Sequence, residues 1–412
     1  MKYVFYFDEA FHDRKIVISE QGRINTLRKD AIDDYVGVFW GCKREFFNEY
    51  VQQLTTFEKK YRKIFDLAED KELKSGIIGK KNYQYGLHSF NKNAQGFYTD
   101  LFKMLSKWEI ILQINIISKI ELLIRESLRS VTFPLFANKN AFIYSLTKLI
   151  VVHRPQQLVE AMEEVANGGL GKQFRDKLLD TLNAYVDASH GVARKERSTE
   201  AFREMIFIIE SMDFNARFDT KTDFQYYLNF EGISNLLREL EINVKDVKVT
   251  IDNEERTFVA AQKYEFGKLK QGKSDFSIQL RLSDLLSGFV GRMIYALKHD
   301  ESAREKELKD YSEIDHEDIK KKRLLDPKWF ELNESQFEMY KLIYEVLILQ
   351  HEYYWTTLTS VYNDDTICFY SLLRYIASYP TYEQFVAISI SLHSEYYNSC
   401  AVGELEEHYL YI

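Results

Sequence analysis

At 412 residues, 45% of them hydrophobic, with 28 Tyr and 29 Phe, the chain has apolar mass for more than one simple core, which excludes wholesale disorder and predicts roughly two to three domains. A net charge of −8 excludes a uniformly basic nucleic-acid coat, but not a local basic groove, because phosphate contacts need only a few placed cations. Cys42, Cys368 and Cys400 are far apart and in no metal-ligand spacing, which argues against a zinc site or disulfide framework and for a reducing compartment.

The opening Met-Lys leads straight into Tyr3–Phe7, a run too short for a signal peptide and lacking a cleavage site. No stretch reaches the ~18–20 apolar residues of a membrane helix, so the expected location is the cytoplasm, with no membrane partner. Tyr3–Phe7 is continuously apolar, as in a strand buried on both faces, and Asp8 closes it. Lys15–Ser19 and Tyr35–Trp40 follow as short strands, in meander spacing. Residues 44–65 read as an amphipathic helix with Phe46, Phe47, Tyr50, Val51, Leu54 and Phe57 on one stripe. Residues 70–93 lose this periodicity. They carry Glu72 beside Lys74, then a basic and aromatic loop with Lys80, Lys81, Tyr83 and Tyr85. A helix near 95–107 precedes a fourth strand at Ile110–Ile117.

From about 119 to 240 the pattern is helical, with a turn at Asn167-Gly168-Gly169. Strand character returns at Val247–Ile251, where apolar residues alternate with Lys248 and Thr250, and Asp252-Asn253 ends it. A long apolar helix spans Asp275 to Leu297, followed by a charged connector from Asp300 to Arg323 and a Tyr-rich helical end. This order predicts an α/β chain: a core in two parts, 1–118 and 241–300, a helical insertion at 119–240 and a helical C-terminal region at 301–412. Strand and helix order match a ribonuclease H-like mixed five-stranded sheet, and topology alone does not fix function.

Four acids stand in unusual settings. Asp8 and Asp252 end apolar strands, Asp284 lies among Leu280, Leu282, Leu285, Leu286 and Phe289, and Glu72 follows the first helix. A carboxylate in apolar surroundings must pair, protonate or bind metal, and several converging carboxylates raise one another's pKa. A hard divalent cation relieves that conflict, so an all-oxygen site suggests Mg²⁺ or Mn²⁺. Arg281, Asp284 and Gly288 share a helical face, and Gly288 would let that face approach a strand. A helix continuous from Asp275 would put Asp275 on the opposite side, with Ser274 as an N-cap.

The stretches Tyr3-Val4-Phe5-Tyr6-Phe7-Asp8-Glu9, Glu72-Leu73-Lys74, the strand ending in Asp252, and Leu282-Ser283-Asp284-Leu285-Leu286-Ser287-Gly288 together resemble the bacterial "domain of unknown function 3800" family. The resemblance covers roughly residues 1–118 and 241–298. It implies a ribonuclease H-like fold and a metal-dependent nuclease, often from mobile-element or phage-defence settings. Ala10, Phe11 and Arg281 stand where that family has Ser, Gly and Gln, which bears on positioning near Asp8 and on substrate preference.

The expected enzyme hydrolyses phosphodiester bonds of DNA or RNA through two metal ions. Asp8 would bridge the ions, Asp252 and Asp284 would each bind one, and Glu72 would complete the site or orient water. Lys74, Lys80, Lys81, His12 and Arg281 are the candidate substrate contacts, the Lys80–Asn93 loop through cations interleaved with aromatic rings. His12 reads more readily as a turn residue, and Lys320–Arg323 as an exposed helix end. No motif anchors a P-loop, a Ser-His-Asp set or a Cys-His nucleophile. The alternative is a non-catalytic binding or assembly protein whose helical regions dock a protein partner or a second copy.

Overall fold

The computed structural model describes residues 1–10, 23–27, 33–68, 71–129, 131–214, 217, 227–300, 324–350, 355–356 and 360–409. Its sheet contains β1 (Tyr3–Ala10), β2 (Asp34–Lys43), β3 (Ile110–Ser118), β4 (Val247–Asp252), β5 (Lys268–Gly272) and the two-residue β6 (Trp355–Thr356). The order is β5-β4-β1-β2-β3-β6. β2 is antiparallel to both β1 and β3, while β4 is parallel to β1, β5 to β4 and β6 to β3. Every strand but β2 therefore points the same way.

The helices in chain order begin with α1 (Phe47–Ile64), α2 (Lys92–Leu105), α3 (Lys119–Ser127), α4 (Lys139–His153) and α5 (Gln156–Ala166). Then come α6 (Gly171–Ala188), α7 (Glu196–Glu210), α8 (Tyr227–Glu239), α9 (Glu255–Ala261) and α10 (Ile278–Lys298). The last four are α11 (Glu334–Tyr344), α12 (Asp364–Ala377), α13 (Tyr382–Val386) and α14 (Ile390–Tyr409). No helix among the described residues is long and apolar enough to cross a membrane.

Successive strand side chains point to opposite faces, and β1 uses both. Val4 and Tyr6 enter one core with α1, α2, α10 and the C-terminal helices. Phe5 and Phe7 enter a second core with α3 to α8. That parity places Asp8 on the α10 side and Glu9 on the other. α10 is held over the sheet by two hydrogen bonds: the Ser283 hydroxyl donates to the Tyr6 carbonyl at 3.2 Å, and Trp40 Nε1 donates to the Gln279 carbonyl at 2.7 Å.

Several expectations need revision. Lys15–Ser19 lies outside the described residues, and the strand containing Tyr35–Trp40 pairs directly with β1. β5 carries no apolar alternation because it is an edge strand with only Leu269 packed inward, next to Val249. β6 falls in a region whose pattern reads as helical. α10 begins at Ile278, capped by Ser277, whose hydroxyl accepts from the Leu280 N–H, so Ser274 is not its cap. Lys80–Tyr83 and Gly86–Ser89 are 3-10 turns, with Tyr83, Leu87 and Phe90 buried, Tyr85 and His88 half-buried, and Lys80, Lys81 and Gln84 exposed, so the segment is packed on one side and solvated on the other.

Candidate functional site

β1 and β4 run parallel with Phe7 opposite Ile251, so Asp8 and Asp252 are each one step further on adjacent strands, which lie ~4.8 Å apart. Asp252 is in the Lys248–Thr250 series and shares a face with Asp8, since Val247, Val249 and Ile251 fill the opposite core. The two carboxylates thus lie side by side near the carboxyl ends of two parallel strands, where open α/β sheets commonly bind ligands. Asp8 is not the end of its strand: β1 continues through Glu9 and Ala10 against β2, but its pairing with β4 stops at Phe7.

Asp284 comes from α10, one residue after Ser283 binds β1. Both of its oxygens are held by Ser75, whose backbone N–H donates to Oδ2 at 2.7 Å and whose hydroxyl donates to Oδ1 at 3.0 Å. This contact needs Gly288: a Cβ there would lie 2.3 Å from the Ser75 Cβ and hydroxyl. Gly288 therefore admits the loop around Ser75, and not a strand, which corrects the sequence expectation.

The charges act on one another. Burial, then the charges of Asp284, Glu9 and Asp252, push the Asp8 pKa well above the usual carboxylate range against a hydrogen bond from the Glu9 N–H. Burial also raises Asp284, with the Ser75 donors, Arg292 and Lys74 opposing it. Asp252 Oδ1 accepts from the backbone N–H groups of Asn253 at 2.9 Å and Ser274 at 3.1 Å, which ties the segment after β5 to the site.

Lys74 connects the parts. Its ammonium is 2.8 Å from Glu72 Oε2. Burial disfavours its charge, but the hydrogen bond to Glu72 and the charges of Glu72, Asp284 and Asp252 outweigh burial and raise its pKa. Asp275 stands beside Glu72, whose hydrogen bond is the first cause of its lowered pKa. The sequence argument against Asp275 assumed a helix continuous from that residue; a 3-10 turn at Ser274–Phe276 separates it from α10, so the 100° rule does not apply there.

Glu9 was legible only as part of a motif. On the opposite face it is buried, accepts from the Thr257 hydroxyl at 3.3 Å, and is pushed up to about 8 by burial and by Glu254. Strand parity alone would have placed it there. Among the substrate candidates, His12 lies outside the described residues. Arg281 pairs with Glu58 at 2.7 Å and donates to the Asp275 carbonyl at 3.3 Å, so it braces α1 and the turn before α10. Lys80 lies 4.3 Å over the Tyr295 ring, and Lys81 is exposed.

Among the described residues no three His, Cys, Asp or Glu side chains form a group that could hold a metal ion as they stand. The donor set is chemically suited all the same: carboxylate oxygens from three elements that raise one another's proton affinity are what a hard divalent cation relieves. The comparisons add no relative: no family model matches the chain, and neither curated proteins nor solved structures give a match.

Proposed function

We propose that this chain is a Mg²⁺- or Mn²⁺-dependent phosphodiesterase acting on nucleic acid, on a ribonuclease H-like sheet. The observation that carries the reading is the convergence of Asp8 and Asp252 on adjacent parallel strands with Asp284 facing them from α10. A central strand flanked by one antiparallel and one parallel neighbour supports the fold part. Asp8, Asp252, Asp284 and Glu72 would hold the ions, which supply charge to polarise a phosphoryl oxygen and activate water. Ser75 orients Asp284 through both of its donors, and Lys74 sets a cation where a phosphate would enter.

Asp8→Asn and Asp284→Asn are each expected to lower metal-dependent cleavage of DNA or RNA by about 100-fold or more. Unchanged cleavage by both variants would falsify the proposal. A second reading, a non-catalytic binding protein, is favoured by Ser75 already occupying both Asp284 oxygens. Calorimetric titration with Mn²⁺ separates the two: the enzyme reading requires binding that Asp8→Asn weakens, and the scaffold reading requires no carboxylate-dependent heat.

A further inference from the structure

α10 lies mainly over β1 and β2 and reaches β4 and β5 only near their carboxyl ends, where Leu280 packs against Gly272 and Thr250 is buried; among the described residues, Lys268 and Lys270 are exposed and Lys248 is half-buried on the same face. Parity puts Lys248, Thr250 and Asp252 on this face of β4. The parallel register sets Lys268 beside Lys248, Lys270 beside Thr250 and Gly272 beside Asp252. Leu269 points to the opposite core, which confirms that Lys268 and Lys270 share the open face. Arg44 follows Cys42 by two residues just beyond β2, and both Lys248 and Tyr6 feel its charge.

Four cations thus crowd one sheet face in a chain of net charge −8. None of them is in an ion pair among the described residues, whereas nearby Lys2 and Lys245 pair with Asp246 and Glu265. Burial and then the charges of Lys270, Arg44 and Lys268 lower the Lys248 pKa, so the cluster is under mutual repulsion. Lysines on an edge strand can serve only to deter pairing with another sheet. That role does not account for Lys248, which is on an inner strand, or for Arg44, which is beyond β2.

We propose that Arg44, Lys248, Lys268 and Lys270 form a phosphate-binding strip that guides a nucleic-acid strand along β4 and β5 to the carboxylates at Asp8 and Asp252. At ~3.3 Å per residue, Lys248 lies ~13 Å along the strand from Asp252, so the strip would grip the backbone a few nucleotides from the reacting phosphate. The proposal rests on the nuclease reading for its substrate class and adds a binding surface outside the carboxylate cluster. A polyanion on this face would relieve the repulsion among the cations and release its own counterions.

Fluorescence anisotropy in EDTA, with the whole chain and a labelled oligothymidylate or oligouridylate, tests it. Lys268→Gln/Lys270→Gln is expected to bind roughly tenfold more weakly, with a log-affinity against log-salt slope shallower by about 1.4, from ~0.7 per single-strand phosphate contact. Lys172→Gln/Lys177→Gln, on an exposed face of α6, removes the same charge and is expected to bind as the unmodified protein does. Equal loss in both variants, no loss in either, or no binding by the unmodified protein overturns the strip. So does a strip variant that loses binding to phosphatidylserine vesicles but keeps binding to the oligonucleotides. Asp8→Asn separates the two readings. Strip-dependent binding with Asp8-independent cleavage sinks the nuclease and leaves the strip, and Asp8-dependent cleavage with unchanged strip-variant binding sinks the strip alone.

Discussion

Asp8 and Glu9 are neighbours in sequence but serve opposite cores, and the difference is one step of strand pleat. Asp8 feels the charges of Asp284 and Asp252, while Glu9 is enclosed with Tyr35 and Thr257. A residue far from both shows how enclosure sets protonation. His393 in α14 is buried; its Nδ1 is 2.7 Å from the Tyr375 hydroxyl and its Nε2 is 2.9 Å from the Phe385 carbonyl. An N–H at Nε2 donates to that carbonyl, and Nδ1 accepts from the hydroxyl, so the neutral ring satisfies both contacts. Burial lowers the His393 pKa, with the Phe385 carbonyl opposing. The unfolded chain therefore takes up this proton at higher pH than the folded one, and stability is full above the ordinary value near 6.5 and falls as pH drops below it. His393 by itself lowers the urea midpoint between about pH 7 and about pH 5.5, while the raised Glu9 and Asp34 act in the opposite sense, so the midpoint of His393→Gln is expected to gain on that of the parent as pH falls through this range. An equal slope in the variant would assign the effect elsewhere.

Elements meet at the site through one close approach. The loop carrying Glu72, Lys74 and Ser75 reaches Asp284 only because Gly288 has no side chain. In an open helix, Gly288→Ala would add stability through helix propensity, by about 1 kcal/mol. Here the new methyl would meet the Ser75 Cβ, which is fixed to the backbone and cannot rotate away. Overpacking of this kind costs about 1–3 kcal/mol. Gly288→Ala is therefore expected to lower stability in denaturant titrations and to cut cleavage by displacing both Ser75 donors from Asp284. A variant more stable than the parent, with normal cleavage, would show that the loop yields freely.

Across the whole molecule, one buried cation joins regions that are remote in sequence. Lys298, at the end of α10, contacts Asp33 Oδ1 at 2.8 Å, Asp34 Oδ2 at 3.1 Å and Asp365 Oδ2 at 2.7 Å. Arg154, just after α4, pairs with Asp33 Oδ2 at 3.1 Å. The start of β2, the helical insertion, α10 and α12 are thereby tied at one point. Burial pushes Asp34 up to about 7, while Lys298 and Arg154 hold Asp33 below its usual range against burial. Removing one partner of a buried ionic group leaves the others uncompensated, at about 3–5 kcal/mol. Lys298→Met is expected to lower unfolding free energy by about that amount, and a change under about 1 kcal/mol would show that water or protonation replaces the ammonium.

The sequence by itself determined the alternating pattern of β4, the continuous apolar run of β1, the helical block after β3 and the identity of the acids. Each is a local property: side-chain period follows from backbone geometry, and an acid at the end of an apolar run is visible without neighbours. It could not show β5, whose edge position asks for only one apolar residue, nor the break that brings Asp275 beside Glu72. Lys248, Lys268 and Lys270 read as scattered charges until the parallel register aligned them on one face. Tertiary structure decided which acids meet, what Gly288 admits and where the cations crowd, because each depends on the pairing of segments distant in the chain, and no local period encodes that pairing.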